Sequence, residues 1–189
     1  LLAQLKNENV EETVHIHLYN KNKYFGAGDV YRTDQPDYLK MNFTNEKIDI
    51  RPKEKPDAIV KLENYTKWLS ESIGIEESRL SDKFSSRKMV GKYLSSCFKS
   101  VIAGAPENIK IYYHNEEVVN ITQKEGLLHL KPQQTIKPQE SVKVHNLLLT
   151  TGHAGNRTEL LDSKKVDSSI IDFVYPVEKT LVSINAQAS

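Results

Sequence analysis

Two histidines, His15 and His17, stand two residues apart in the run Val14-His15-Ile16-His17-Leu18-Tyr19-Asn20. On a strand that spacing puts both imidazoles on one face, where a pair of ring nitrogens suits a metal. A metal centre needs a third and usually a fourth ligand, and none stands nearby at ligand spacing, so no metal is expected. Gly26-Ala27-Gly28 raises a second chemistry, phosphate binding. A phosphate cradle needs a further glycine three places on and a helix opening at once, because the anion rests on unpaired N–H groups at a helix N-terminus. Here Tyr31 takes that place and Pro36 blocks an early helix, so the glycines are read as a tight turn with positive φ. Cys97 lies on an apolar helical stripe and is read as a small core residue. No G-x-S-x-G elbow occurs, which leaves hydrolase chemistry without support. Lys21, Lys23 and the Lys164-Lys165 pair have acidic neighbours and are read as solvated surface.

Composition narrows the partners. The chain has 189 residues, 27% charged and 38% hydrophobic, with a formal net charge of +1. Such a balance gives no reason to expect nucleic acid or an anionic membrane as partner. No apolar run is long enough to span a bilayer, and no signal peptide opens the chain. The single cysteine excludes an internal disulfide and fits a reducing compartment, so the expected location is cytoplasmic. N-x-Ser/Thr triplets begin at Asn42, Asn64, Asn120 and Asn156 and are read as chance in an Asn-rich chain.

The elements that must position any site follow from periodicity. Leu1, Leu2 and Leu5 recur at helical spacing, with no capping residue before them, which predicts that the sequence opens inside an amphipathic helix. Val14, Ile16 and Leu18 alternate as in a half-buried strand over Val14–Tyr19. A helix carries Leu62, Tyr65, Trp68, Leu69 and Ile73 and stops at Gly74. A second, capped by Ser85 or Ser86, carries Met89, Val90, Tyr93, Leu94, Cys97, Val101 and Ile102 until Gly104 and Pro106. Short strands are expected at Ile109–Tyr113, Val118–Ile121 and Leu127–Leu130, then a loop over Gln133–Glu140. Val144–Thr151, with Leu147-Leu148-Leu149 unbroken, reads as a strand buried on both faces of a parallel sheet, with Leu147–Thr150 parallel to Val14–Tyr19 in that one sheet.

Gly26-Ala27-Gly28, Tyr31 and Asp34-Gln35-Pro36-Asp37-Tyr38-Leu39-Lys40-Met41-Asn42 resemble the G-x-G-x-x-Y, D-x-P-x-x-L-x-M-N block of the FAD/NAD(P)-binding protein family. Further segments resemble the same family in the same order. Tyr65–Leu69 is similar to its aromatic-Trp-Leu helix, and Arg87, Gly91, Tyr93 and Leu94 to its R-x-x-x-G-x-Y-L segment. Leu147–His153 is similar to an apolar strand ending in A-T-G-H, and Phe173-Val174-Tyr175-Pro176 to the segment before a second glycine loop.

This resemblance implies an α/β fold, a Rossmann-type FAD-binding domain with a β-meander, here without its first strand and glycine loop. It places a partial FAD-binding-like domain at residues 1–153, with a helical excursion at about 57–104, and a linker toward a second nucleotide-binding region at 154–189. The first glycine loop is expected upstream of Leu1 and the second beyond Ser189, so the sequence is read as an internal fragment.

The family's ribose-facing acid corresponds to Asn20, an uncharged hydrogen-bonding substitute. Met41 and Asn42 would lie near the flavin or its pyrophosphate, and Arg87 would pair with phosphate oxygens. Val118 would offer backbone groups to the adenine edge, and Thr151 and Gly152 would let the backbone approach the cofactor. The parent protein is thus expected to bind FAD and NAD(P) and to pass electrons from nicotinamide through flavin to a small substrate or oxygen, a class of flavin-dependent oxidoreductases that includes monooxygenases. The chain alone is expected to hold neither cofactor and to be inactive, and an exposed sheet edge is expected to favour homo-oligomers. The competing expectation is a non-catalytic binding or interaction domain that keeps the scaffold without cofactor.

Overall fold

A computed structural model describes residues 1–8, 10–133 and 141–152. Contacts divide the chain into a unit at Leu1–Leu147 and a second at Leu148–Ser189. The first contains α1 (Leu2–Asn7), β1 (Val14–Tyr19), α2 (Tyr65–Ile73), α3 (Arg87–Ala103), β2 (Ile109–His114), β3 (Val118–Lys124), β4 (Leu127–Pro132) and β5 (Val142–Val144), with single 3-10 turns at Asn45–Lys47 and Glu77–Arg79. Two sheets result. β1 and β2 pair in parallel from Val14↔Ile109 to Tyr19↔His114, and β3-β4-β5 form an antiparallel meander. The fold is a mixed α/β one.

Local chemistry explains the helices. Asn64 caps α2 by accepting from the Lys67 N–H at 2.8 Å, and Gly74 ends it in the left-handed region at φ 70. Of the two serines expected at the start of α3, Ser86 is the cap, its Oγ accepting from the Met89 N–H. The apolar stripes of both helices then meet the chain before and between them. Tyr65, Leu69, Val90, Tyr93 and Cys97 pack with Met41, Ile48 and Leu80 into one core, and Tyr31, Leu62, Trp68, Met89 and Leu94 close around it. Each large apolar side chain removed from water here contributes about 1.5–3 kcal/mol. Tyr65 and Tyr93 meet edge to face at 5.2 Å and are wholly buried. Cys97 is a buried core residue, and burial pushes its thiol pKa up, away from reactive thiolate.

Gly26 and Gly28 adopt φ 84 and 65, and the Gly28 N–H donates to the Tyr24 carbonyl, which is the tight turn their spacing predicts. The turn packs on the rest of the fold through Phe25, whose ring meets Tyr113 of β2 at 5.1 Å and Phe98 of α3 at 6.4 Å. A loop without regular structure is thereby fixed against both a strand and a helix.

One expectation fails. Residues 146–150 are neither strand nor helix, and the partner of β1 is β2 rather than Leu147–Thr150. The last described strand, β5, covers only Val142–Val144 and pairs antiparallel with β4. The reason is that an apolar run becomes a strand only beside another strand that takes its N–H and C=O groups. Among the described residues no strand stands beside 146–150, nor along the second edge of β1. The loop expected at Gln133–Glu140 lies, beyond Gln133, outside the described residues, as do Lys164-Lys165 and Phe173–Pro176.

Candidate functional site

In a parallel sheet the carboxyl ends of the strands form the edge at which ligands bind, because the loops leaving them turn polar backbone and side chains to one side. That edge here is the end of β1 and β2. The Asn20 N–H donates to the His114 carbonyl at 3.0 Å, which carries the strand pairing one residue past β1. Asn115, just past β2, donates through Nδ2 to the carbonyls of Asn20 at 3.1 Å and Lys21 at 3.0 Å. The two strand ends are therefore clamped to each other by side chain and backbone together.

The Asn20 side chain is half engaged. Its Oδ1 accepts from the Asn22 N–H at 2.9 Å, the short turn that Asn favours when a chain leaves a strand. Its Nδ2 has no partner among the described residues and is the donor this edge offers. Asn22 in turn donates through its own Nδ2 to the Asp29 carboxylate. A carboxylate thus stands one hydrogen-bonded residue away from the strand end that itself carries none. Gln35 anchors the same stretch by donating to the Asp29 carbonyl at 3.2 Å. Asn22, Asp29 and Asn115 were not foreseen from the sequence; their only signal was polarity next to a glycine turn or a strand end.

Beside this edge the glycine turn carries its own ion pair. Asp34 accepts from the Tyr24 hydroxyl and, at 3.0 Å, from Arg32 Nε. The Tyr24 hydrogen bond, aided by Arg32, holds the Asp34 carboxyl below its usual range. Arg32 and Lys23 also lie over the Tyr24 ring, at 5.8 and 5.7 Å.

The other expected positions fall elsewhere. Met41 and Asn42 lie beside the start of α3, where the Met41 N–H donates to the Ser85 carbonyl and the Arg87 N–H to the Leu39 carbonyl at 2.7 Å. The bonds pair Arg87 with Leu39 and Met41 with Ser85, so they set Asn42 on the far side of Met41 from Arg87. Met41 is 7% exposed and belongs to the core, so its side chain presents almost no surface, whereas Asn42 is exposed. Val118 opens β3 opposite Pro132, with a bulge between it and Asn120. Thr151 and Gly152 belong to the second unit, where Gly152 takes φ 66 and a Cβ would meet nothing within 4 Å. Among the described residues no three His, Cys, Asp or Glu side chains converge as a metal site would require. No helix among them is long and apolar enough to cross a membrane.

A family model described as FAD-NAD(P)-binding matches residues 1–154, and the chain belongs to that family. Its members bind FAD and NAD(P), and membership implies a Rossmann-like fold. No curated protein matches the chain.

The β1–β2 edge fits a ribose: it offers an unengaged amide donor at Asn20 and a carboxylate at Asp29. A pyrophosphate is not served by the described residues in the same way. The Gly26–Gly28 turn leads into further turns rather than a helix. At the start of α3 the N–H groups of Arg87, Met89 and Val90 are already taken by Leu39 and Ser86, and the Asp37 carboxylate stands there, bonded to Ser86 Oγ and Lys88 Nζ.

Proposed function

We propose that this chain supplies the adenosine-binding part of a flavin site in an oxidoreductase that draws electrons from NAD(P)H. Bound FAD would accept a hydride from nicotinamide and hand the electrons to a small substrate or to oxygen, chemistry that belongs to the cofactor. The protein's part is to hold and orient it. Asn20 Nδ2 would donate to a ribose hydroxyl, Asn22 and Asp29 would stiffen and charge the loop that follows, and Asn115 would keep the two strand ends together. Asn42 and Arg87 would each add a polar group near the start of α3, and Val118 would contribute backbone. The observation that carries the reading is Asn20 Nδ2, an amide donor without a partner among the described residues, at the carboxyl end of a parallel strand pair in a chain of this family.

Residues 1–189 contain no G-x-G-x-x-G followed by a helix. Without that amide cluster several charge-assisted hydrogen bonds are missing, each worth about 1.5–3 kcal/mol, so FAD binding to this chain is weak. Thermal melting with added FAD tests both parts. Micromolar FAD leaves Tm unmoved, while millimolar FAD raises it in the natural sequence and not in Asn20→Ala. No rise at millimolar FAD contradicts the assignment of the site; a clear rise at micromolar FAD contradicts the weakness.

A further inference from the structure

The face of β1–β2 turned away from Phe25 and Phe98 carries an unusual row of side chains. In the parallel register His15 stands opposite Lys110, His17 opposite Tyr112, and Tyr19 opposite His114, so all of these share one face. Their rings interleave across the two strands in the order His15, Tyr112, His17, His114, Tyr19. Successive centroids are 5.7, 4.8, 5.1 and 4.3 Å apart, with interplanar angles between 11° and 21°. Two hydrogen bonds tie the row: His15 Nδ1 with the Tyr112 hydroxyl at 3.0 Å, and His17 Nδ1 with His114 Nε2 at 2.9 Å.

The second of these bonds depends on protonation. Two imidazoles can share a hydrogen bond only while one facing nitrogen carries a proton and the other a lone pair. When both rings are imidazolium, two N–H groups face each other and two positive charges are held side by side. The surroundings add to that cost. On its own strand His17 has His15 and Tyr19; from β2 it faces Lys110, Tyr112 and His114. The nearby Glu116 acts on Tyr19, whose hydroxyl is buried without a partner among the described residues. Among the described elements β2 is the one packed closely against β1.

We propose that the His17–His114 pair is a proton-operated switch that loosens the β1–β2 pairing as pH falls, and with it the strand end that carries Asn20. The link to Asn20 is direct: its N–H is bonded to the carbonyl of His114, one member of the pair. The consequence for a bound nucleotide rests on the reading given above, whereas the switch itself does not. The direction agrees with the local chemistry. Burial, then the charges of His114 and His15, push the pKa of His17 below its ordinary 6.5. The unfolded chain therefore takes up a proton at His17 before the folded chain does. Stability is unaffected well above 6.5, declines as pH falls through 6.5, and levels off below the folded value.

Histidine titrations followed by NMR on the whole chain without nucleotide, with Tm measured over the same range, test this. His17 should titrate below 6.5, and the Asn20 amide signal should move with the same midpoint. His114→Gln should bring the His17 midpoint back toward its ordinary value, a response that a merely structural role would not give. Tm should fall by about 2–8 °C between about pH 7.5 and about pH 5.5, and His17→Gln should flatten that fall. Should His17→Gln fold poorly, the midpoints in the natural sequence and in His114→Gln still decide. A His17 midpoint at or above 6.5, an Asn20 signal that ignores it, or an unchanged pH profile in His17→Gln overturns the switch. Because no nucleotide is present, failure of the ribose assignment leaves these results interpretable.

Discussion

The carbonyl oxygen of Tyr31 lies 1.8 Å from the place that a Cβ on Gly91 would take. Helix α3 and the loop that follows the glycine turn approach so closely there that only hydrogen fits between them. In an exposed helix, replacing glycine by alanine gains up to about 1 kcal/mol from the restricted unfolded chain. Here the added methyl meets backbone, which cannot rotate away. Gly91→Ala should therefore destabilise the fold by about 1–3 kcal/mol, as overpacking does, measured by urea unfolding. An increase in stability would show that the loop and α3 are not in contact.

The two wholly buried tyrosines should respond in opposite ways to losing their hydroxyls. Tyr93 donates to the Glu63 carbonyl at 2.8 Å, so Tyr93→Phe leaves a carbonyl short of a partner and costs about 1 kcal/mol. The Tyr65 hydroxyl is buried with no proper hydrogen bond among the described residues; Ser85 acts on it but too weakly placed to satisfy it, and burial pushes its pKa up to about 12. Removing it discards a desolvated polar group, so Tyr65→Phe should be neutral or stabilising by up to about 1 kcal/mol. Thermal unfolding of both variants separates the cases, and a larger loss for Tyr65→Phe would contradict this packing.

Asn115 joins the ends of β1 and β2 with two hydrogen bonds from one amide nitrogen. Asn115→Ala should cost about 1–2 kcal/mol and speed hydrogen exchange at the Asn20 amide more than at amides of α3. Equal acceleration everywhere would mean that Asn115 supports global stability rather than this edge.

Much of this was legible in the residues, for reasons that can be named. Stripes at helical spacing and a capping Ser86 or terminal Gly74 mark α2 and α3, because burial and end-capping act within a few residues of each other. Alternation marks β1, and the glycine pair marks a positive-φ turn. Leu147–Leu149 misled because an unbroken apolar run shows what a segment would bury but not whether a neighbouring strand is there to pair with it. The pairing of β1 with β2 joins residues more than ninety positions apart, and no local pattern encodes it. Within the site, Asn20 was found through a motif, whereas Asp29, Asn22 and Asn115 act through the fold of loops that have no period. Met41 shows the converse: a motif residue whose side chain the core has taken.

On the proposed assignment, the carboxyl edge of β1–β2 receives the adenosine ribose. The most direct measurement is a titration of the isotopically labelled chain with millimolar ADP-ribose, followed by amide and Asn side-chain NMR signals. Shifts should concentrate at Asn20 Nδ2 and the amides of Asn22, Asp29 and Asn115, and Asn20→Ala should remove them. No shift at millimolar ligand, or shifts centred on a distant surface such as Lys55–Ile59 with the strand ends unmoved, would contradict it.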